Sequence, residues 1–85
     1  MTTNDLKEFF KEHLVPNKFY KIGGEHKNRI CLEQVSDGWD VFFKDQKQKV
    51  GLMHFGDENS ACDMMKDEIR KLMESVYGIT WVKGV

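Results

Sequence analysis

The segment Ser36-Asp37-Gly38 is the feature that most restricts how this chain folds. An Asp-Gly pair favours the positive φ angles of a tight hairpin turn. It stands between two runs of strand composition, Arg29–Val35 and Trp39–Lys44. In the second run Trp39, Val41 and Phe43 fall at alternate positions on one face, with Asp40, Phe42 and Lys44 on the other, as expected of a strand with one buried face. The sequence therefore predicts an antiparallel hairpin in which the face carrying Trp39 points inward.

Two further segments predict strands on either side of this hairpin. Phe19–Ile22 has the composition of a short strand that Gly23-Gly24 ends, and these glycines predict a turn. After the polar loop Asp45–Lys49, Val50–Phe55 again has strand composition. The four strands together favour an antiparallel meander.

Helical spacing of apolar residues marks both ends of the chain. The segment Thr3–Val15 predicts a helix that Thr3 or Asn4 caps and that Pro16 ends. From Asp57 onward the period is again helical, with Asp57 or Asn59 as the cap and Gly78 at the end. The apolar stripe of this second helix consists of Ala61, Met65, Ile69, Leu72 and Val76.

These elements define the expected fold class. A chain of 85 residues has room for a single domain, residues 1–85. We expect a two-layer α+β domain in the order helix, four-stranded antiparallel meander, helix, with both helices on one face of the sheet. The terminal segment Ile79–Val85 predicts either a short fifth strand or a tail packed by Trp81.

The amino terminus becomes charged immediately and contains no apolar run long enough for a secretory signal or a membrane span. We therefore expect a cytoplasmic protein without a membrane partner. With only Cys31 and Cys62 the chain does not have the cysteine density of a disulfide scaffold. Both thiols are expected to be reduced and to lie on the inner faces of a strand and a helix.

The sequence contains no spacing typical of a catalytic, metal or cofactor site. Metal sites need donors that converge at fixed spacing, whereas the candidate ligands are scattered over different elements: His13, His26, His54, Cys31 and Cys62. Cys62 lies near a helix start, but neighbouring carboxylates oppose its ionisation. We expect His54 to be a hydrogen-bonded edge residue. No phosphate-binding glycine motif is present, so the sequence predicts no cofactor and no enzymatic activity.

The charges of the chain are evidence on whether it binds nucleic acid. The element order is that of a double-stranded RNA-binding domain, but Lys and Arg number 13 against 14 Asp and Glu. The start of the second helix is acidic, which opposes phosphate binding. Two basic groups are interpreted as solvated surface, namely Lys18, Lys21, Lys27 and Arg29, and Lys44, Lys47 and Lys49. A nucleic-acid-binding or regulatory interaction module of α-β-β-β-α type is the alternative interpretation.

Three segments carry a family resemblance: Tyr20–Gly24, the run Leu32–Asp45 with its Gly38-Trp39 pair, and Phe55–Cys62 at the helix entry. Together they resemble small immunity proteins of bacterial polymorphic-toxin and contact-dependent inhibition systems. The loop Gln46–Lys49 departs from that pattern because it lacks the Arg-Gly pair that usually follows the aromatic strand.

The resemblance implies a protein that binds the toxic domain of a cognate effector, a nuclease being one candidate, and performs no catalysis. Its binding surface is expected to be exposed and charged. The partner-binding candidates are Asp57, Glu58, Asp63, Asp67 and Glu74, with Asp37, Asp40 and Asp45 from the hairpin turns as a second group.

Overall fold

The structure is a computed structural model that describes residues 1–78 and Trp81. The order of elements confirms an α+β chain with two helices and four strands in the described part. Their bounds are α1 Thr3–Glu12, a short 3-10 helix Asn17–Phe19, β1 Tyr20–Ile22, β2 Arg29–Val35, β3 Gly38–Lys44, β4 Lys49–Phe55 and α2 Glu58–Tyr77. The strand or tail predicted at residues 79–85 falls outside the described residues except for Trp81.

The sheet has the order β1-β2-β3-β4, and β2, β3 and β4 pair in the antiparallel sense, as predicted. The prediction that all four strands form an antiparallel meander is wrong, because β1 pairs with β2 in parallel. A parallel pair normally needs a crossover of a dozen or more residues. Here residues 23–28 suffice because β1 has only three residues, so the return path is about 10 Å.

The crossover loop, residues 23–28, is fixed at both of its ends. The amide of Gly23 donates to the Leu32 carbonyl at 2.8 Å, and the amide of Asn28 donates to the Lys44 carbonyl at 2.6 Å. Gly23 has φ 96° and Asn28 has φ 61°, conformations that suit glycine and asparagine. The glycine turn predicted from the sequence is present, but it leads into a crossover and not a hairpin.

Side chains and glycine define the helix ends. The Thr2 side chain accepts from the Asp5 amide and the Asp5 side chain accepts from the Thr2 amide, which places the cap of α1 one residue before the predicted positions. The helix ends at Glu12, earlier than the predicted Val15, because Leu14 adopts a φ of 58°. Asp57 caps α2 and Gly78 ends it in the left-handed conformation, as predicted.

The main core lies between the helices and one face of the sheet. α2 packs across β2, β3 and β4, and α1 lies beside α2. The expected stripe of α2 is buried at Ala61, Met65 and Ile69, but it continues into Met73 and leaves Val76 exposed. The buried cluster consists of Leu6, Phe10, Val15, Ile22, Leu32, Val41, Ala61, Cys62, Met65, Ile69 and Met73.

A second, smaller buried site lies on the opposite face of the sheet. Cys31 and Phe42 are cross-strand partners, and alternation along the strands directs them away from Leu32 and Val41. Phe42 is nevertheless only 1% exposed. The crossover loop brings the His26 carbonyl to 3.6 Å from Cys31 Sγ, and Lys49 Nζ lies 4.6 Å from the centre of the Phe42 ring. The outer face is thus covered at this point.

The placement of Cys31 on the outer face corrects the expectation that it faces inward. Cys62 belongs to the main core on the other side of the sheet, so the β2–β3 pair stands between the two thiols. Both cysteines are free and buried. Among the described residues, no helix has the length and apolar character that crossing a bilayer requires.

The neighbouring residues Phe42 and Phe43 test the outer-face cover. We expect Phe42→Ala to lower the free energy of unfolding by about 3 kcal/mol, since it removes a buried ring and opens a cavity. Phe43→Ala is the matched control, because Phe43 is 42% exposed and its loss should cost about 1 kcal/mol. Urea unfolding of both variants measures the difference. Equal losses would contradict a buried cluster under the crossover loop.

Candidate protein-binding surfaces

The outward face of α2 carries three of the predicted partner-binding residues. Asp63, Asp67 and Glu74 are spaced by four and seven positions, which places them on one side of the helix. The Arg70 guanidinium donates to Asp67 at 2.6 Å and to Glu74 at 2.9 Å, and Lys71 Nζ lies 3.4 Å from Asp67. The hydrogen bond from Arg70 holds the pKa of Asp67 below its usual value. The face therefore combines three carboxylates with two cations and has a net negative charge.

Asp63 differs from the other carboxylates of this face. It is exposed, and it has no hydrogen bond or ion pair within the described part of the chain. The opposite side of α2 is anchored by Met65, Ile69 and Met73 in the main core. Asp63 is thus an available anion on a fixed element.

Asp57 and Glu58, predicted as partner contacts, make internal hydrogen bonds. The Asp57 carboxylate accepts from the Ser60 amide at 2.8 Å, and this bond lowers the pKa of Asp57. Glu58 accepts from the Thr3 amide at 2.9 Å and so joins the start of α1 to the start of α2. Both carboxylates have a structural role at the helix starts.

The second predicted group, from the hairpin turns, is divided. Asp37 precedes β3 and Asp45 follows it, so that about 25 Å of strand separates them. Asp45 accepts from the Gln46 amide at 2.6 Å within its own loop. Only Asp37 and Asp40 come together, and they do so around His54 on the outer face of the sheet.

His54 lies between two carboxylates. Its Nδ1 is 2.8 Å from Asp40 Oδ1 and its Nε2 is 3.7 Å from Asp37 Oδ1. The hydrogen bond to Asp40 is the main cause that raises the pKa of His54 above 6.5, and the Asp37 charge adds to it. A Cβ at Gly38 would collide with the Phe55 carbonyl, so glycine is required for β3 and β4 to approach here. His54 was expected to be a hydrogen-bonded edge residue. The structure adds the identity of its partners, Asp40 and Asp37, which the sequence did not indicate.

The outer face continues as a row of ion pairs. Lys49 Nζ lies 3.1 Å from Glu33 and 3.9 Å from Glu25, while Lys44 Nζ lies 3.8 Å from Glu25. The hydrogen bond to Glu33 raises the pKa of Lys49. These lysines, interpreted from the sequence as solvated surface, bind the crossover loop to the sheet.

A groove between α1 and β1 was not foreseen. It has a volume of about 910 Å³. Lys7 and Lys11 stand on its helix side, Lys21 and Arg29 on its strand side, and Leu14 at its end. Lys21 and Arg29 were interpreted from the sequence as solvated surface, without a predicted contact to α1. The spacing of four between Lys7 and Lys11 was the available signal, since it places both on one helix face.

The described residues provide neither a metal cluster nor an activated thiol. No group of three or more His, Cys, Asp or Glu side chains in this part of the chain is placed to hold a metal ion. Burial raises the pKa of Cys62 to about 11, and burial also raises that of Cys31. Neither thiol carries appreciable thiolate near neutral pH.

Comparisons of the chain with protein-family models, with curated proteins and with solved structures gave no match.

The His54 geometry predicts a pH dependence. Because its folded-state pKa is raised, the bond to Asp40 stabilises the fold fully below pH 6.5 and this contribution is lost as pH rises through the raised value. A proton NMR titration should show His54 titrating above its usual value of 6.5. Asp40→Asn should lower the His54 pKa more than Asp37→Asn, the matched control at the longer distance. An unchanged His54 titration in Asp40→Asn would refute the assignment.

Proposed function

We propose that this chain is an immunity protein that binds a cognate toxin domain in the cytoplasm and neutralises it by contact alone, without catalysis. The observation that carries the proposal is the exposed acidic face of α2, which contains Asp63, Asp67 and Glu74. The family resemblance stated from the sequence supports the same class of protein. The partner surface that this face fits is basic.

The rigidity of α2 supports the choice of this face. A helix of 20 residues packed on three strands holds its outward side chains in place before binding. Asp67 and Glu74 are further ordered by Arg70. Preorganised side chains lose less conformational entropy when a partner binds.

The two predicted groups of carboxylates do not form one surface. α2 covers one face of the sheet, whereas Asp40 and His54 lie on the other. Asp37, with a side chain 81% exposed, stands at the turn between them. The proposal therefore assigns the toxin contact to α2, and Asp37, Asp40 and Asp45 remain candidates for a separate contact.

The alternative is a nucleic-acid-binding or regulatory interaction module. An acidic helix start argues against phosphate binding by α2, since Asp57 and Glu58 stand where phosphate would approach. A regulatory module would share the protein-binding surface but would not abolish the activity of a toxin. Inhibition is thus the property that distinguishes the two.

The double variant Asp63→Lys and Asp67→Lys tests the proposal. The proposal expects a toxin reading frame beside this gene, and the probe is the toxic domain that such a frame encodes, purified and titrated by calorimetry. We expect the variant to bind about tenfold or more weakly, because reversed charges repel a basic surface. Glu8→Lys with Glu12→Lys is the matched control, since it reverses two exposed carboxylates at the same spacing on α1.

Thermal unfolding of both double variants checks that the fold is retained. Unchanged affinity in the α2 variant would refute the assignment of the contact to α2. A toxin that binds the chain but remains fully active would refute the immunity function itself.

A further inference from the structure

Charge is distributed unevenly over the described surface. Many of the carboxylates accept hydrogen bonds or pair with cations within the chain, as at Asp40, Asp57 and Asp67. By contrast, four cations of the α1–β1 groove have no ion-pair partner in the described part of the chain: Lys7, Lys11, Lys21 and Arg29. One carboxylate, Glu8, lines the same groove. The groove is therefore cationic in a protein whose formal net charge is -1.

The cations stand on two sides of an apolar floor. Lys7 and Lys11 lie on α1, while Lys21 belongs to β1. The floor between them is apolar at Val15, Pro16 and Ile22, with Leu14 at the end of the groove. Such a groove suits a ligand with negative charges along its sides and an apolar surface between them.

Leu14 is an exposed apolar residue at the end of the groove, and it terminates α1 in the left-handed conformation, with the Val15 amide donating to the Phe10 carbonyl at 2.9 Å. The Leu14 φ of 58° is a conformation that L residues with large side chains rarely adopt. Leu14 is also 57% exposed, so it gains little burial in return. Asparagine would adopt this φ at a lower energetic cost, and its polar side chain would be better hydrated. The exposed Leu14 side chain therefore adds apolar surface to the groove, which a bound partner would remove from water.

We propose that the α1–β1 groove binds an extended, acidic and partly apolar segment of a protein partner. β1 is the edge of the sheet, so one side of its backbone has no strand partner among the described residues and is able to pair with such a segment. The apolar floor accepts alternate side chains of the segment, and the cations on both sides pair with its carboxylates. This site is separate from the outward face of α2 and does not depend on the toxin proposal.

The groove favours a peptide over a nucleic acid. Single-stranded nucleic acids bind where aromatic rings are free to stack with bases. The aromatic ring at this groove, Tyr20, is packed against Phe10 with ring centres 4.7 Å apart, and its hydroxyl donates to Asn17 at 3.2 Å. The other residues of the floor are aliphatic, so they cannot stack with bases but can contact apolar side chains of a peptide.

Fluorescence anisotropy with a labelled peptide of alternating glutamate and leucine tests the site. Lys11→Gln with Lys21→Gln removes one cation from each side and should weaken binding about tenfold at low salt. The matched control, Lys27→Gln with Lys47→Gln, changes the net charge equally at exposed residues outside the groove. It should leave the affinity within about twofold of the original value.

Leu14→Asn is the second test. It should weaken peptide binding while thermal stability stays equal or rises, because asparagine tolerates the left-handed conformation. Weaker peptide binding without loss of stability is a result that a purely structural role of Leu14 does not produce. Peptide affinity unchanged in this variant would overturn the apolar part of the proposal.

Two other occupants are outcomes of the same experiment. If an oligouridylate binds more tightly than the peptide and only the groove cations affect it, the groove is a nucleic-acid site and the proposal is wrong. If sedimentation equilibrium shows self-association that Lys11→Gln with Lys21→Gln abolishes, the occupant is a second copy of the chain. Equal weakening by the groove pair and the control pair would show non-specific charge attraction, which also overturns the proposal.

Discussion

The register of the β2–β3 hairpin is the constraint on which the rest of this structure depends. Pairing Leu32 with Val41 directs both into the main core, and the same register pairs Cys31 with Phe42 on the outer face. A shift by one residue would exchange the two faces. Gly38 pairs with Val35 at the turn of this hairpin, and its lack of a side chain lets β3 pass close to Phe55 in β4. The position of α2 on one side and of the crossover loop on the other follows from this register.

The crossover loop explains why a small chain has buried residues on both faces of its sheet. A three-residue β1 leaves so short a return that residues 23–28 must pass over β2. Lys44 and Lys49 then pair with Glu25, and Lys49 also covers the Phe42 ring. Exposed ion pairs contribute little by themselves. Here their effect is geometric, since they hold the loop and the lysine stem over apolar surface.

Local patterns predicted the elements well, because caps, turns and helical periods depend on neighbouring residues. Asp57, Gly78 and the turn at Gly38 belong to this class. The parallel pairing of β1 was missed because glycine after a short strand predicts a change of direction but not the strand that follows. Phe42 is buried and Phe43 is exposed, which is the reverse of the expectation. Alternation along the strand predicted correctly which face of the sheet each ring lies on. Whether that face is covered depends on segments that are distant in the sequence.

Among the candidate site residues, Asp63 and Asp67 lie on one face of α2, as their spacing of four requires. The pairing of Arg70 with Asp67 was not predicted. The cationic groove joins α1 to β1, and no local pattern contains that contact.

Although the formal net charge is only -1, the fold places a group of cations and several paired carboxylates on different surfaces. Arg70 and Lys71 lie within reach of Asp67 because helix geometry brings positions three and four apart together, and cross-strand register does the same for Asp40 and His54. The neighbouring cationic groups therefore neutralise part of the negative electrostatic potential of these carboxylates. Among the described residues Lys7 and Lys11 have no acidic ion-pair partner, and the fold adds Lys21 and Arg29 across the groove. Within a Debye length of about 8 Å at physiological salt, a partner responds to this local group and not to the total charge. The chain can therefore present a basic groove and an acidic helix face to different partners, although composition alone argues for neither.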